Sequence, residues 1–277
     1  MTSFLRLIAA PLLVALPLLT VTPTSGAAKA QSSTLVSIQT PQDVKQAFIL
    51  IKPENPVASV ILFAGGHGAL RLQSASSMKW GKGNFLVRTR DKFAAHNLMV
   101  AVIDAPSDQQ KGMNGLFRMG SAHAGDIGAV AAYLKKEAAV PVWLVGTSMG
   151  TFSAAGGAIA AKNVDGLVLT STITRAKSQW NIAQSHGDGV ASMPLQKVTA
   201  PALIVSHAKD GCDITPAGDA PKLRKGLANA KVVDVVLLSG GDTPRSDPCE
   251  AMSQHGFLGI EGQAVDAIAK FIKANSK

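Results

Sequence analysis

The chain alternates short, almost uninterrupted apolar runs with longer amphipathic stretches. Leu35-Val36-Ser37-Ile38 and Phe48-Ile49-Leu50-Ile51 read as strands, and the turn-forming Thr40-Pro41-Gln42-Asp43 between them predicts a hairpin. Six further runs predict strands over Ala58–Phe63, Leu98–Ile103, Pro141–Val145, Asp165–Thr170, Ala202–Ser206 and Val232–Leu238. Helical patterns lie among them. In Ala122–Glu137 the apolar residues Ile127, Val130, Ala131 and Leu134 recur at helical spacing. An Ala- and Gly-rich stretch over Thr151–Lys162 reads as a closely packed helix, and a last helix covers Gly262–Ala274. Strands built of consecutive Val, Ile and Leu must bury both faces. The pattern therefore predicts a three-layer α/β/α sandwich with a mostly parallel sheet and the N-terminal strands as an antiparallel edge. In such sheets the working residues lie just past the carboxyl ends of the strands.

Composition narrows the class. The 277 residues are 47% hydrophobic and 16% charged, with only 5% aromatics. The net charge of +9 is mild and scattered, with no basic run and no aromatic interleaving, which argues against a nucleic-acid partner. Residues 1–30 read as a signal peptide: Arg6, an apolar run from Leu7 to Val21 broken by Pro11 and Pro17, then Ala28-Lys29-Ala30. That run is shorter than the roughly 20 residues a membrane span needs. Cleavage is expected after Ala30, leaving 31–277 as one domain, periplasmic or secreted, without stable membrane insertion. Two cysteines, Cys212 and Cys249, in an exported chain predict a disulfide.

The chemistry is concentrated after three of the strands. Gly146-Thr147-Ser148-Met149-Gly150 is a G-x-S-x-G pentapeptide between a predicted strand and a predicted helix. A turn that tight strains its central residue and leaves no room for side chains two positions away, so glycines flank Ser148. A serine hydroxyl needs a base, and the base an orienting acid. Asp210 follows the Ala202–Ser206 strand, and Gly211 permits a sharp turn there; Asp213 competes for the same role. His255 is the only histidine beyond residue 207, so if the order along the chain is Ser, Asp, His it is the sole candidate base.

With G-T-S-M-G, A-L-I-V-S-H-A-K-D and H-G-F-L-G-I-E in this order, the sequence resembles the α/β-hydrolase family. The resemblance implies acyl transfer to water, with Ser148 attacking a carbonyl, His255 moving the proton and Asp210 fixing the imidazole tautomer. It implies an oxyanion hole from the Met149 N–H and a second N–H in Ala64-Gly65-Gly66-His67-Gly68. The histidine sits late in that loop, so Gly66 and His67 are both candidates. No phosphate-binding glycine pattern occurs. His96, His123, His186 and His207 lack metal-ligand spacing, and His123 with Asp126 is expected to form a surface pair. No metal or cofactor is expected.

A short cap-like segment, about 171–201, carries Trp180, Ile182, Met193 and Leu195 as possible pocket covers. Arg71, Lys79 and Trp80 are candidates for the pocket border. A Cys212–Cys249 bridge would tie the acid loop to the base loop. The reading is a carboxylic-ester hydrolase acting on a small ester-like molecule. A peptidase or acyltransferase on the same triad, and a catalytically silent periplasmic binding protein, are the alternatives.

Overall fold

The structure is a computed structural model that describes residues 1–2, 32–160 and 163–276. The expected signal peptide lies outside the described residues, apart from Met1 and Thr2. Gln31–Lys277 forms one compact unit.

Eight strands make one sheet: β1 (Ser33–Gln39), β2 (Lys45–Ile51), β3 (Ala58–Phe63), β4 (Leu98–Ile103), β5 (Val142–Ser148), β6 (Gly166–Thr172), β7 (Ala202–His207) and β8 (Val233–Leu238). Their spatial order is β1-β2-β4-β3-β5-β6-β7-β8. β1 and β2 form the expected antiparallel pair, with Ser33 opposite Ile51; β2 also runs antiparallel to β4, and every other pair is parallel.

Strand periodicity splits the core in two. Ile61, Phe63, Met99, Ala101 and Leu144 face one layer, and Val60, Leu62, Val100, Val102 and Val145 face the other. The first layer is closed by α4 (Ser121–Glu137) and α5 (Gly150–Ala160), which contribute Ile127, Val130, Leu134 and Phe152. The second is closed by α1 (Phe85–Arg88), α2 (Arg90–Ala95) and α7 (Glu261–Ala274), through Phe85, Phe93, Val265 and Ile268. The sandwich expected from the sequence is therefore present.

Four short helices were not legible as helices: α1, α2, α3 (Gly115–Met119) and α6 (Ala220–Gly226). None is longer than seven residues, too short for a 3.6-residue period to declare itself. Instead of a helix, the β6–β7 connection carries two 3₁₀ turns, Gly189–Ser192 and Leu195–Lys197. Val190 and Leu195 from these turns fill the core layer. The expected surface pair of His123 and Asp126 is corrected. Both are buried on α4, because the His123 ring packs against Phe63 of β3, Phe117 of α3 and Ser153 of α5, and Asp126 meets Thr40 in the turn after β1. Burial raises the Asp126 carboxyl above its usual range, against an opposing hydrogen bond from Thr40.

The strand order sets where a site can form. From β3 the chain steps outward to β4, then crosses back to β5 on the other side of β3. The loops leaving β3 and β5 consequently diverge at a topological switch point, opening a crevice at the carboxyl edge.

Candidate active site

Ser148 ends β5 and sits in the left-handed region at φ 52°, where a non-glycine residue is strained. The pairing of β5 with β6 shifts register between Thr147 and Ser148. The flanking glycines are sterically required. A Cβ at residue 146 would lie 2.5 Å from the Gly150 carbonyl oxygen, and one at 150 would collide with the Phe63 carbonyl oxygen. The strand can thus turn straight into α5, with the Thr151 hydroxyl donating to the Ser148 carbonyl. Ser148 is left half-buried at the mouth of the crevice.

His255 lies in a 3₁₀ turn, Gln254–Gly256, capped by the Ser253 hydroxyl, which accepts the His255 N–H. The His255 Nδ1 meets Asp210 Oδ2 at 3.0 Å, and the Asp210 side chain is wholly buried. Asp210 also accepts from the Cys212 N–H at Oδ1 and from the Thr215 hydroxyl at Oδ2, each at 3.0 Å. Between the two candidate acids, the geometry selects Asp210, since Asp213 points to the exposed side of the loop beside Cys249. Thr215, missed by the sequence reading, lies 3.1 Å from His255 Nδ1 as well, so it braces the acid and the imidazole together.

Two more braces were also missed. The Ser171 hydroxyl donates to the His255 carbonyl at 2.8 Å from the strained end of β6 (φ 41°). Arg88 Nη2 donates to the Gly256 carbonyl at 2.6 Å while pairing with Glu261 at 2.9 Å. These contacts explain the role of the H-G-F-L-G-I-E segment: its glycine carbonyl and its glutamate are both gripped by one arginine.

The expected bridge Cys212–Cys249 is formed. It ties the loop after β7 to the loop that leads to His255. Cys212, Asp213 and Cys249 are the one cluster of possible metal ligands among the described residues, but both sulfurs are consumed in the disulfide.

One crevice of about 530 Å³ is lined by Ser148, Met149, Gly65, Gly66, His67, Trp80 and His255. The β3 loop lies tight against the serine: a Cβ on Gly65 would be 3.0 Å from Ser148 Cβ. Gly66 adopts φ 55°, directly beneath the Trp80 ring. Asp104, just beyond β4, organises the chain that follows; its carboxylate accepts from the N–H groups of Leu70, Arg71, Leu72 and Ala105. His67 stacks on Trp80 with ring centroids 3.9 Å apart. Its Nδ1 accepts from the Ala69 N–H, which leaves Nε2 to carry the ring proton, and burial with the nearby Arg71 and Arg118 lowers its pKa.

Of the other border candidates, Trp80 lines the crevice, whereas Arg71 turns to the Gln110 carbonyl and Lys79 is not part of the lining. Trp180 and Ile182 of the cap-like segment line an adjoining cavity of about 400 Å³ that shares Gly66, His67 and Met149. Leu195 belongs to the core, and Met193 borders a separate groove near α5.

The fold is the α/β-hydrolase fold. Solved structures of similar fold are distant in sequence. An esterase of Pyrococcus furiosus is 14% identical with a TM-score of 0.61, covering 88% of this chain and 93% of its own. A dienelactone hydrolase of Anabaena variabilis is also 14% identical, with a TM-score of 0.58 and 89% and 99% covered. An α/β hydrolase of a Penicillium species reaches a TM-score of 0.63 at 11% identity over 88% and 99%. No family model and no curated protein matches the sequence. At these identities an α/β-hydrolase likeness carries the architecture, and the chemistry rests on the site itself.

Proposed function

We propose that this protein is a serine hydrolase that cleaves small carboxylic esters through an acyl-enzyme on Ser148. The observation that carries the reading is the meeting, at one crevice, of a serine held at φ 52° on a strand-to-helix elbow and a histidine whose Nδ1 is fixed on a buried carboxylate. With Nδ1–H committed to Asp210, His255 keeps Nε2 as the free base. It takes the Ser148 proton as the hydroxyl oxygen attacks the ester carbonyl. It then returns that proton to the departing alkoxide, and water repeats the sequence on the acyl-enzyme. The N–H of Met149, at the start of α5, and an N–H of the Gly66–His67 segment receive the oxyanion. An open crevice with a second, apolar lobe beside it suits a compact ester better than a long acyl chain.

The disulfide supports an oxidising compartment, in keeping with the leader-like first thirty residues, and we include export in the proposal. No helix among the described residues is long and apolar enough to cross a membrane.

The deciding experiment is labelling with a fluorophosphonate, which reacts with an activated serine, together with turnover of p-nitrophenyl acetate and butyrate. Wild type is expected to label and turn over, and Ser148→Ala to do neither. Labelling that survives the substitution ends the assignment.

A further inference from the structure

Behind the β3 loop lies a buried cation with no carboxylate partner among the described residues. Arg118, on α3, is 1% exposed and is one of the largest fully buried side chains. Its guanidinium donates to three neutral acceptors: Nη2 to the Gly66 carbonyl at 3.1 Å, Nη1 to the Ser153 hydroxyl at 2.9 Å, and Nε to the Met113 carbonyl at 3.4 Å. Ser153 is itself fully buried on α5, turned away from the crevice and bound to His123 Nε2 at 3.0 Å. His123 adds no second positive charge beside the guanidinium, since burial and Arg118 push it down to about 3 and leave it neutral. Burial lowers Arg118 to about 9, which still leaves it charged at neutral pH.

An unpaired buried charge is costly, so one kept directly behind an active-site loop is a candidate for a part in the chemistry. Here the contact is with Gly66, the residue whose own N–H and whose following N–H are the two candidate oxyanion donors. Gly66 is a glycine at φ 55°, so without an anchor its carbonyl could rotate. The same segment also fixes the next carbonyl, because the Met113 N–H donates to the His67 carbonyl at 2.9 Å. A trans peptide points its N–H opposite its C=O, so an arginine on the buried side of the 66–67 unit directs the His67 N–H away from itself. The approach is close enough that a Cβ on Gly68 would overlap the guanidinium.

We infer that Arg118 is a positioning residue for the oxyanion hole: it holds the Gly66 carbonyl and sets, through that peptide, a positive field that strengthens as negative charge develops on the substrate oxygen. The inference rests on the serine-hydrolase reading of Ser148. The charge acts on the transition state and not on the neutral ester, so its removal should lower kcat and spare KM.

The test compares wild type, Arg118→Met and Arg118→Lys in steady-state hydrolysis of p-nitrophenyl acetate and in inhibition by a trifluoromethyl ketone, which adds to a serine to form a tetrahedral oxyanion. Arg118→Met is expected to lose about 30- to 100-fold in kcat with KM changed less than threefold, and to bind the ketone weaker by the same factor. Arg118→Lys keeps the charge but reaches only one acceptor, and is expected to recover part of both losses. If Arg118→Met does not fold, Arg118→Lys alone decides, with about a tenfold loss expected in kcat and in ketone affinity together. Variants that match wild type in kcat, or that lose kcat while binding the ketone as tightly, overturn the role. A wild type that fluorophosphonate does not label at Ser148 removes the hydrolase reading instead, and the inference with it.

Discussion

Removing the Cys212–Cys249 bridge separates two effects that act on different states of the chain. The cysteines are 37 residues apart. Opening that loop in the unfolded ensemble costs the native state about 4 kcal/mol on the chain-entropy model. For a domain of this size each kcal/mol shifts the melting temperature by about 2–4 °C, so the loss corresponds to about 8–16 °C. The native-state effect is positional. Cys212 is buried, and its N–H donates to Asp210 Oδ1, while Cys249 leads into the turn that carries His255. That turn keeps other anchors: the Ser171 hydroxyl on the His255 carbonyl, Arg88 on Gly256, and the Ser253 hydroxyl on the Pro248 and Glu250 carbonyls. The imidazole should therefore drift rather than detach, and kcat should fall about tenfold, short of the hundredfold that a full 1 Å misplacement brings. Thermal melts and p-nitrophenyl acetate hydrolysis of a Cys212→Ala/Cys249→Ala variant, beside wild type reduced under mass-verified conditions, read both effects. Unchanged kcat in either sample refutes the positional clamp. An unchanged melting temperature refutes the entropic one.

The remaining predictions concern residues whose roles emerge only in the folded chain. Thr215→Val keeps the side-chain volume but removes a donor from the buried Asp210 carboxylate. It should cost about 1.5–3 kcal/mol in urea unfolding and about tenfold in kcat, and a variant equal to wild type in both would show that Thr215 braces nothing. His123 titrates at about 3 in the folded protein against about 6.5 when unfolded. Below pH 6.5 the unfolded chain takes up a proton that the folded chain refuses, so stability is full above that pH and is lost on acidification by about 1.4 kcal/mol per unit. Between pH 7 and pH 5 wild type should accordingly lose about 2 kcal/mol more than His123→Gln in urea titrations, and parallel losses would place the burial of this imidazole in doubt.

How much could be read from the chain alone depended on whether the signal was local. The strands β3 to β7 were visible because a strand covered on both faces is apolar along most of its length, and their ends fall within three residues of the pattern's limits. The elbow was visible because its pattern occupies five consecutive residues, although only Gly146 is forced from within it, by the Gly150 carbonyl, and Gly150 is forced by the Phe63 carbonyl at the end of β3. His255, and an acid in the loop after β7, were recoverable from chain order, which the topology preserves. The choice between Asp210 and Asp213 was not, because it depends on which carboxylate the turn after β7 folds inward, and both fit the same short loop.

The residues packed behind the site have no such local signature. His123 and Asp126 carry the i, i+3 spacing of a surface pair, yet α4 turns both of them inward, since burial is decided by what packs against a helix and not by the helix itself. Arg118 sits in Leu116-Phe117-Arg118-Met119, where an exposed Leu116 and a buried arginine invert the usual hydropathy order. The inversion follows from the crevice geometry. The face of α3 turned to the β3 loop meets carbonyl oxygens at Gly66 and Met113 and a hydroxyl at Ser153, an environment that solvates a guanidinium and would strand a leucine. The acceptors come from three segments far apart in sequence, so the requirement for a cation at residue 118 exists only once the switch point between β3 and β5 has brought the β3 loop over α5. Residues of this kind respond to the electrostatics of the assembled site, which makes a misfit between hydropathy and burial beside an active-site loop a useful pointer to function.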